Sequence, residues 1–209
     1  MGYTHYLTTP KGSPSYTKEQ FNKATNICAM LLVKAVRTEK ITRDMLETRC
    51  LDTGDILIHT LLMGMDTREL AREFRRQKCI ALHPRSTESI VIHAEPDFVM
   101  DSRYRVFVCC KTDGPGTPED SLVVATFLAV QEAMGMGDPF DSPLKFHSDG
   151  DPKELVEGLR LFRDLLEHPA SIDRELYLKS FLPEYKDGFS KDFDQLAKEN
   201  LVTLHPKEA

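Results

Sequence analysis

Residues 104–154 read as strand, loop, helix, loop, strand and the start of a second helix, and that succession restricts the fold more than any other stretch. Tyr104–Cys110 (YRVFVCC) is rich in β-branched and aromatic residues, which suit a pleated strand. Polar punctuation follows at Lys111-Thr112-Asp113-Gly114-Pro115-Gly116, and Thr117-Pro118-Glu119-Asp120 opens a helix. Leu144–Phe146 then leads into His147-Ser148-Asp149-Gly150-Asp151. A strand near 144–147 parallel to the one near 104–110 makes a central βαβ unit. Both polar clusters then fall at one sheet edge, where open α/β folds bind ligands. The expected class is α/β or α+β, a small mixed sheet around this unit with flanking helices.

The flanking sequence supplies those helices. Tyr3–Leu7 alternates large and polar residues, as in a short opening strand, and residues 10–15 form a turn-rich loop. Thr17-x-x-Gln20 is a capping box, after which Phe21, Ala24, Cys28, Leu31, Leu32 and Ala35 repeat at helical spacing. A shorter helical stretch follows Thr42, and Asp55–Met63 is an apolar run that suits a buried strand or the start of a helix equally. Thr67–Lys78 reads as a polar helix burying Leu70 and Phe74. Ser89–His93 (SIVIH) is a strand, and Phe98–Met100 either extends it or pairs with it. Asp151-Pro152-Lys153-Glu154 combines an N-cap, a proline at the first helical position and a reciprocal glutamate ahead of Leu155, Leu159, Phe162 and Leu166. Residues 1–168 are expected to form one domain, and 169–209 a helical appendage with patterns around Leu176 and Leu196.

Composition excludes several classes of function. A net charge of −6 argues against a nucleic-acid-coating protein, and no apolar run approaches a membrane span. Five cysteines without a C-x-x-C pair suit neither a disulfide framework nor a structural zinc site. The opening Met1–Tyr6 has neither the basic nor the apolar region of a secretory signal, and lacks the serine or threonine of a myristoylation pattern. A cytoplasmic location is expected, with no membrane partner.

The candidate chemistry gathers at the two polar clusters. Lys111 and Thr112, beside glycines and a helix N-terminus, favour an anion, although the Walker spacing is absent and a capped strand-to-helix turn is the competing reading. His147, Ser148 and Asp149 place an imidazole near a carboxylate, which suits acid–base or metal chemistry, while Asp151 caps its own helix. Turns also collect such residues without any chemistry. Cys109 and Cys110 point to opposite sheet faces, and a buried cysteine is commonly a small hydrophobe. Tyr3 and His5 share a strand face, with Tyr6 opposite. Arg68, Arg72, Arg75 and Arg76 form a helical stripe that Glu69 and Glu73 partly neutralise, so a solvated face is expected rather than a nucleic-acid site. Asp138, Asp141, Asp149 and Asp151 match no EF-hand, and solvated carboxylates are the better account.

Three motifs together resemble a mostly uncharacterised family of small phage, bacterial and fungal proteins. Its members open with Met-Gly-Tyr-Thr-His-Tyr, intact here as Met1–Tyr6. Its Cys-Lys-Thr…Pro-Tyr-Asp segment corresponds to Cys110-Lys111-Thr112 with Pro118-Glu119-Asp120, and its Ser-Ser-Asp-Gly turn to His147-Ser148-Asp149-Gly150. Departures are an enlarged loop at residues 113–117, Glu119 for tyrosine and His147 for serine. The resemblance carries no activity. It implies that His5, Lys111, Thr112, Asp120, Ser148 and Asp149 belong to one functional surface.

The expected function is binding, with hydrolysis or transfer if a reaction occurs, of a small anionic, nucleotide-like ligand at the strand C-terminal edge. Lys111 and Thr112 would hold the anion, Tyr3, Asp120, His147 and Ser148 would complete the pocket, and His5 or Asp149 would act as acid or base. The residues name no cofactor and do not fix a metal requirement. The alternatives are a non-catalytic protein-interaction module, using the appendage or the arginine stripe, and a thiol hydrolase pairing Cys110 with His5 or His147.

Overall fold

The structure, a computed structural model, describes residues 2–10, 16–46, 64–94, 99–100, 104–135, 142–179 and 181–205. Asp55–Met63, Asp138 and Asp141 lie outside these residues. The fold is mixed α/β. In chain order the elements are β1 (Tyr3–Pro10), α1 (Lys18–Arg37), a 3-10 turn (Arg43–Met45), α2 (Thr67–Gln77), β2 (Cys79–Leu82), β3 (Ile90–His93), β4 (Val99–Met100) and β5 (Tyr104–Thr112). They continue with α3 (Pro118–Met134), β6 (Lys145–Ser148), a 3-10 turn (Pro152–Leu155), α4 (Val156–Leu166), β7 (Ala170–Ile172), α5 (Arg174–Leu178), α6 (Pro183–Lys198) and β8 (Val202–Leu204). Among these, no helix is long and apolar enough to cross a membrane.

The main sheet has the order β4-β5-β1-β6. β1 is antiparallel to both β5 and β6, so those two strands run parallel to each other, with the opening strand of the chain inserted between them. The βαβ unit expected from residues 104–147 is therefore present in split form, with α3 as its crossover. Val99–Met100 pairs with β5 and not with β3, which forms its own hairpin with β2.

Local sequence explains the helices. Thr17 and Gln20 cap α1 reciprocally, and the six residues expected on its apolar face are all buried. Asp66 and Glu69 do the same for α2, whose buried residues are Leu70, Ala71 and Phe74. Thr117 caps α3, and Pro118 begins it. α3 is buried on almost every side from Asp120 to Met134, as a helix apolar all round must be. It packs on β1 and β6 and is covered in turn by α1 and α4.

The segment after residue 168 differs from a purely helical appendage. β7 and β8 bracket α5 and α6 and pair in parallel, with Ser171 opposite Thr203. This unit is stitched to the rest from inside. Gln131 of α3 donates to the Ser171 carbonyl and accepts from the Phe146 amide. Tyr177, fully buried, donates to the Gly150 carbonyl at 3.0 Å.

Candidate functional site

The pairing register sorts the expected site residues onto two faces. Tyr3 is opposite Thr112, and His5 lies between Cys110 and Ser148, so these five side chains share the core face. Thr4 is opposite Lys111, and Tyr6 lies between Cys109 and His147, which puts Lys111 and His147 on the other face. The two polar clusters do lie at one end of the sheet. They do not, however, line one pocket.

On the core face, Asp120 is the hub. Its Oδ1 is 2.8 Å from His5 Nε2, and its Oδ2 accepts from the Tyr3 hydroxyl at 3.0 Å and from the Gly116 amide at 2.9 Å. Burial pushes the Asp120 carboxyl up, but the bond and charge of His5, with Gly116 and Tyr3, outweigh this and hold it below the usual aspartate range. His5 Nδ1 is 3.2 Å from Ser148 Oγ, which also accepts from the Gly150 amide at 3.0 Å. With Asp120 ionised, His5 Nε2–H donates to it, and Nδ1 is left to bond the Ser148 hydroxyl.

This Ser148–His5–Asp120 chain has the order of a serine-hydrolase relay. Its environment is different. His5 and Ser148 are 0% exposed and Asp120 1%. The amides that could stabilise an oxyanion are occupied, Gly150 by Ser148 Oγ and Asp149 by the Thr4 carbonyl. Every polar group of the cluster has its partner, and such a network specifies and rigidifies a core. It joins Tyr3 and His5 of β1, Asp120 of α3 and Ser148 of β6, so the three motifs of the resemblance converge inside the protein.

The remaining motif residues fit the same account. A Cβ on Gly150 would stand 2.9 Å from the Tyr3 ring, and one on Gly2 would overlap the Thr112 carbonyl oxygen. Thr112 is buried and accepts from the Gly114 amide at 3.3 Å. Cys110 donates to the Glu88 carbonyl at 3.1 Å, and burial pushes its thiol up to about 12, far from the thiolate a nucleophile requires.

The opposite face is more open. Lys111 is exposed, its backbone bonded in both directions to Glu88. The Asp149 carboxylate accepts from the Thr4 amide, so it closes the end of β1. His147 stacks on Tyr6, with ring centroids 4.9 Å apart at 14°. Burial drives the His147 ring down to about 4, against the pull of Asp149 and Asp173, and its Nδ1 is buried without a partner. Among the described residues no cluster of three His, Cys, Asp or Glu could hold a metal ion.

A cavity of about 720 Å³ lies elsewhere, between the start of α1 and the second half of α2. Lys18, Arg72, Arg75, Arg76 and Lys78 line it, with Tyr16, Phe21, Asn22 and Ala94, and no carboxylate is among these described lining residues. Arg75 donates to Asn26 Oδ1 at 3.0 Å, which ties α2 to α1, and Arg76 pairs with Glu73. Tyr16 and Phe21 form a near-parallel aromatic pair in its wall, and the Tyr16 hydroxyl is buried with no partner. The arginine stripe was visible in the sequence. Its meeting with Lys18 was not, because helix spacing carries no information about which helix lies alongside.

Comparison with protein-family models, curated proteins and solved structures found no match.

Proposed function

We propose that the protein binds a small anionic, nucleotide-like ligand, and that the cation-lined cavity between α1 and α2 holds its charge. The observation that carries this reading is the lining itself. Five cationic side chains surround a space large enough for a nucleotide. Arg76 is paired with Glu73, and the other cations repel one another unless an anion joins them. The N-terminal end of α1 adds a partial positive charge at Lys18. Tyr16 and Phe21 supply the apolar wall that a base or other planar group needs. The strand edge is the less favoured place, since His5, Thr112, Asp120 and Ser148 are enclosed and already bonded.

A thermal-shift panel of nucleoside mono-, di- and triphosphates with inorganic tripolyphosphate tests the proposal, because a ligand of the native state raises its melting temperature. Arg72→Ala and Lys78→Ala should each weaken binding about tenfold. Salt should weaken it further. Lys111→Ala should change nothing. Loss of binding in Lys111→Ala alone would move the anion to the strand edge, and no response to any member of the panel would end the proposal.

A protein-contact role is supported by a different feature. Leu182 and Tyr185 are exposed at the start of α6, beside Phe181 and Phe189, whose rings meet at 4.5 Å. A cytoplasmic setting accords with Cys28, Cys109 and Cys110 being free thiols.

A further inference from the structure

A second cavity, of about 300 Å³, opens where the C-terminal unit meets the helices, and it is built differently from the first. Lys23 reaches it from α1, Glu132 from α3 and Phe162 from α4, while His168 lies in the turn after α4 and Ser171 and Thr203 face each other across β7 and β8. The Glu132 carboxylate is 3.1 Å from His168 Nε2. Burial raises the Glu132 carboxyl, with His168 and Lys23 pulling the other way, so both groups act on this one acid.

We propose that this cavity binds a small hydroxylated monoanion of the sugar-acid class. Its size, at the lower end of ligand cavities, suits a single sugar ring. Lys23 and His168 present two nitrogen groups to the single carboxylate of Glu132, and a ligand carboxylate supplies the second acid. Glu132 and Thr203 offer acceptors and donors for ring hydroxyls, and Ser171 Oγ, 3.3 Å from His205 Nε2, adds a further group. The Phe162 ring, 5.7 Å from that of His168, gives the apolar C–H face of a sugar a surface to lie on. The site stands apart from the nucleotide-like ligand proposed above and does not depend on it.

The test is a titration of the whole chain with D-glucuronate, followed by amide chemical shifts in NMR. At about 10 mM, tenfold above a millimolar Kd, glucuronate should shift the amides of Ser171 and Thr203. Glucose and acetate, each lacking half of the recognised chemistry, should shift them far less. Lys23→Met and Glu132→Gln should weaken binding at least about tenfold, whereas Arg72→Ala should not alter it. Shifts confined to other regions, acetate acting as well as glucuronate, or binding that survives Lys23→Met would each overturn the proposal. The wild-type shift map decides the matter even should either variant not fold.

Discussion

Tyr3, His5 and Asp120 depend on one another because a buried carboxylate is tolerable only while its donors remain in place. Tyr3→Phe keeps the ring that packs over Gly150 and removes one donor from Asp120 Oδ2. It should cost about 2 kcal/mol in urea unfolding, the range for a hydrogen bond to a charged group. A second residue-scale effect belongs to His147. Its ring titrates near 4 in the folded chain and near 6.5 when unfolded, so between those values the unfolded state binds more protons. Stability should therefore be complete above about pH 6.5 and fall as the pH drops toward 4, by up to about 3 kcal/mol. Urea midpoints across that window should show a flatter slope for His147→Gln than for the wild type. An unchanged slope would mean that the ring is solvated in the folded chain.

At the scale of elements, the strands and helix caps were legible because their signals are local. The Thr17–Gln20 box, the Thr117 cap and the Asp151–Glu154 pair all form as their spacing predicts. Strand ends were less legible, and the error had consequences. Ending the first central strand at Cys110 treats Lys111 and Thr112 as neighbours in a loop, where both could face one ligand. The strand runs on to Thr112, and alternation then sends the two side chains to opposite faces. Ser148 and Asp149 part in a related way, one ending β6 on the core face and the other closing β1 from the turn. Gln131 was not legible at all, since nothing local marks a helical glutamine as a bridge. Gln131→Leu should leave the Phe146 amide and the Ser171 carbonyl buried and unpaired, costing about 3 kcal/mol by chemical denaturation.

For the whole molecule, the decisive feature is how far the C-terminal unit is built into the rest. Tyr177 and Phe193 are fully buried and meet at 4.9 Å, and Tyr177 bonds to the same turn that holds Ser148. A chain ending at residue 168 loses these contacts together with the β7 partner of Gln131. It should show no cooperative urea transition, whereas the full chain should unfold in one step by circular dichroism. A truncated chain that unfolds cooperatively with little loss of stability would make residues 169–209 a true appendage. The same integration forms the smaller cavity, whose walls come from α1, α3, α4 and both C-terminal strands.

Sequence by itself determined the mixed α/β class, the capped helices, the shared face of Tyr3 and His5 and the parallel course of β5 and β6, because period and cap chemistry act within a few residues. Only the tertiary structure decided that β1 enters between those two strands, since strand order depends on which apolar faces find one another across more than a hundred residues. That insertion carries His5 to Ser148 and Asp120 and encloses all three. It turns three motifs that looked like one exposed surface into a buried network, and it leaves the cations of α2 to meet Lys18 across a separate cavity.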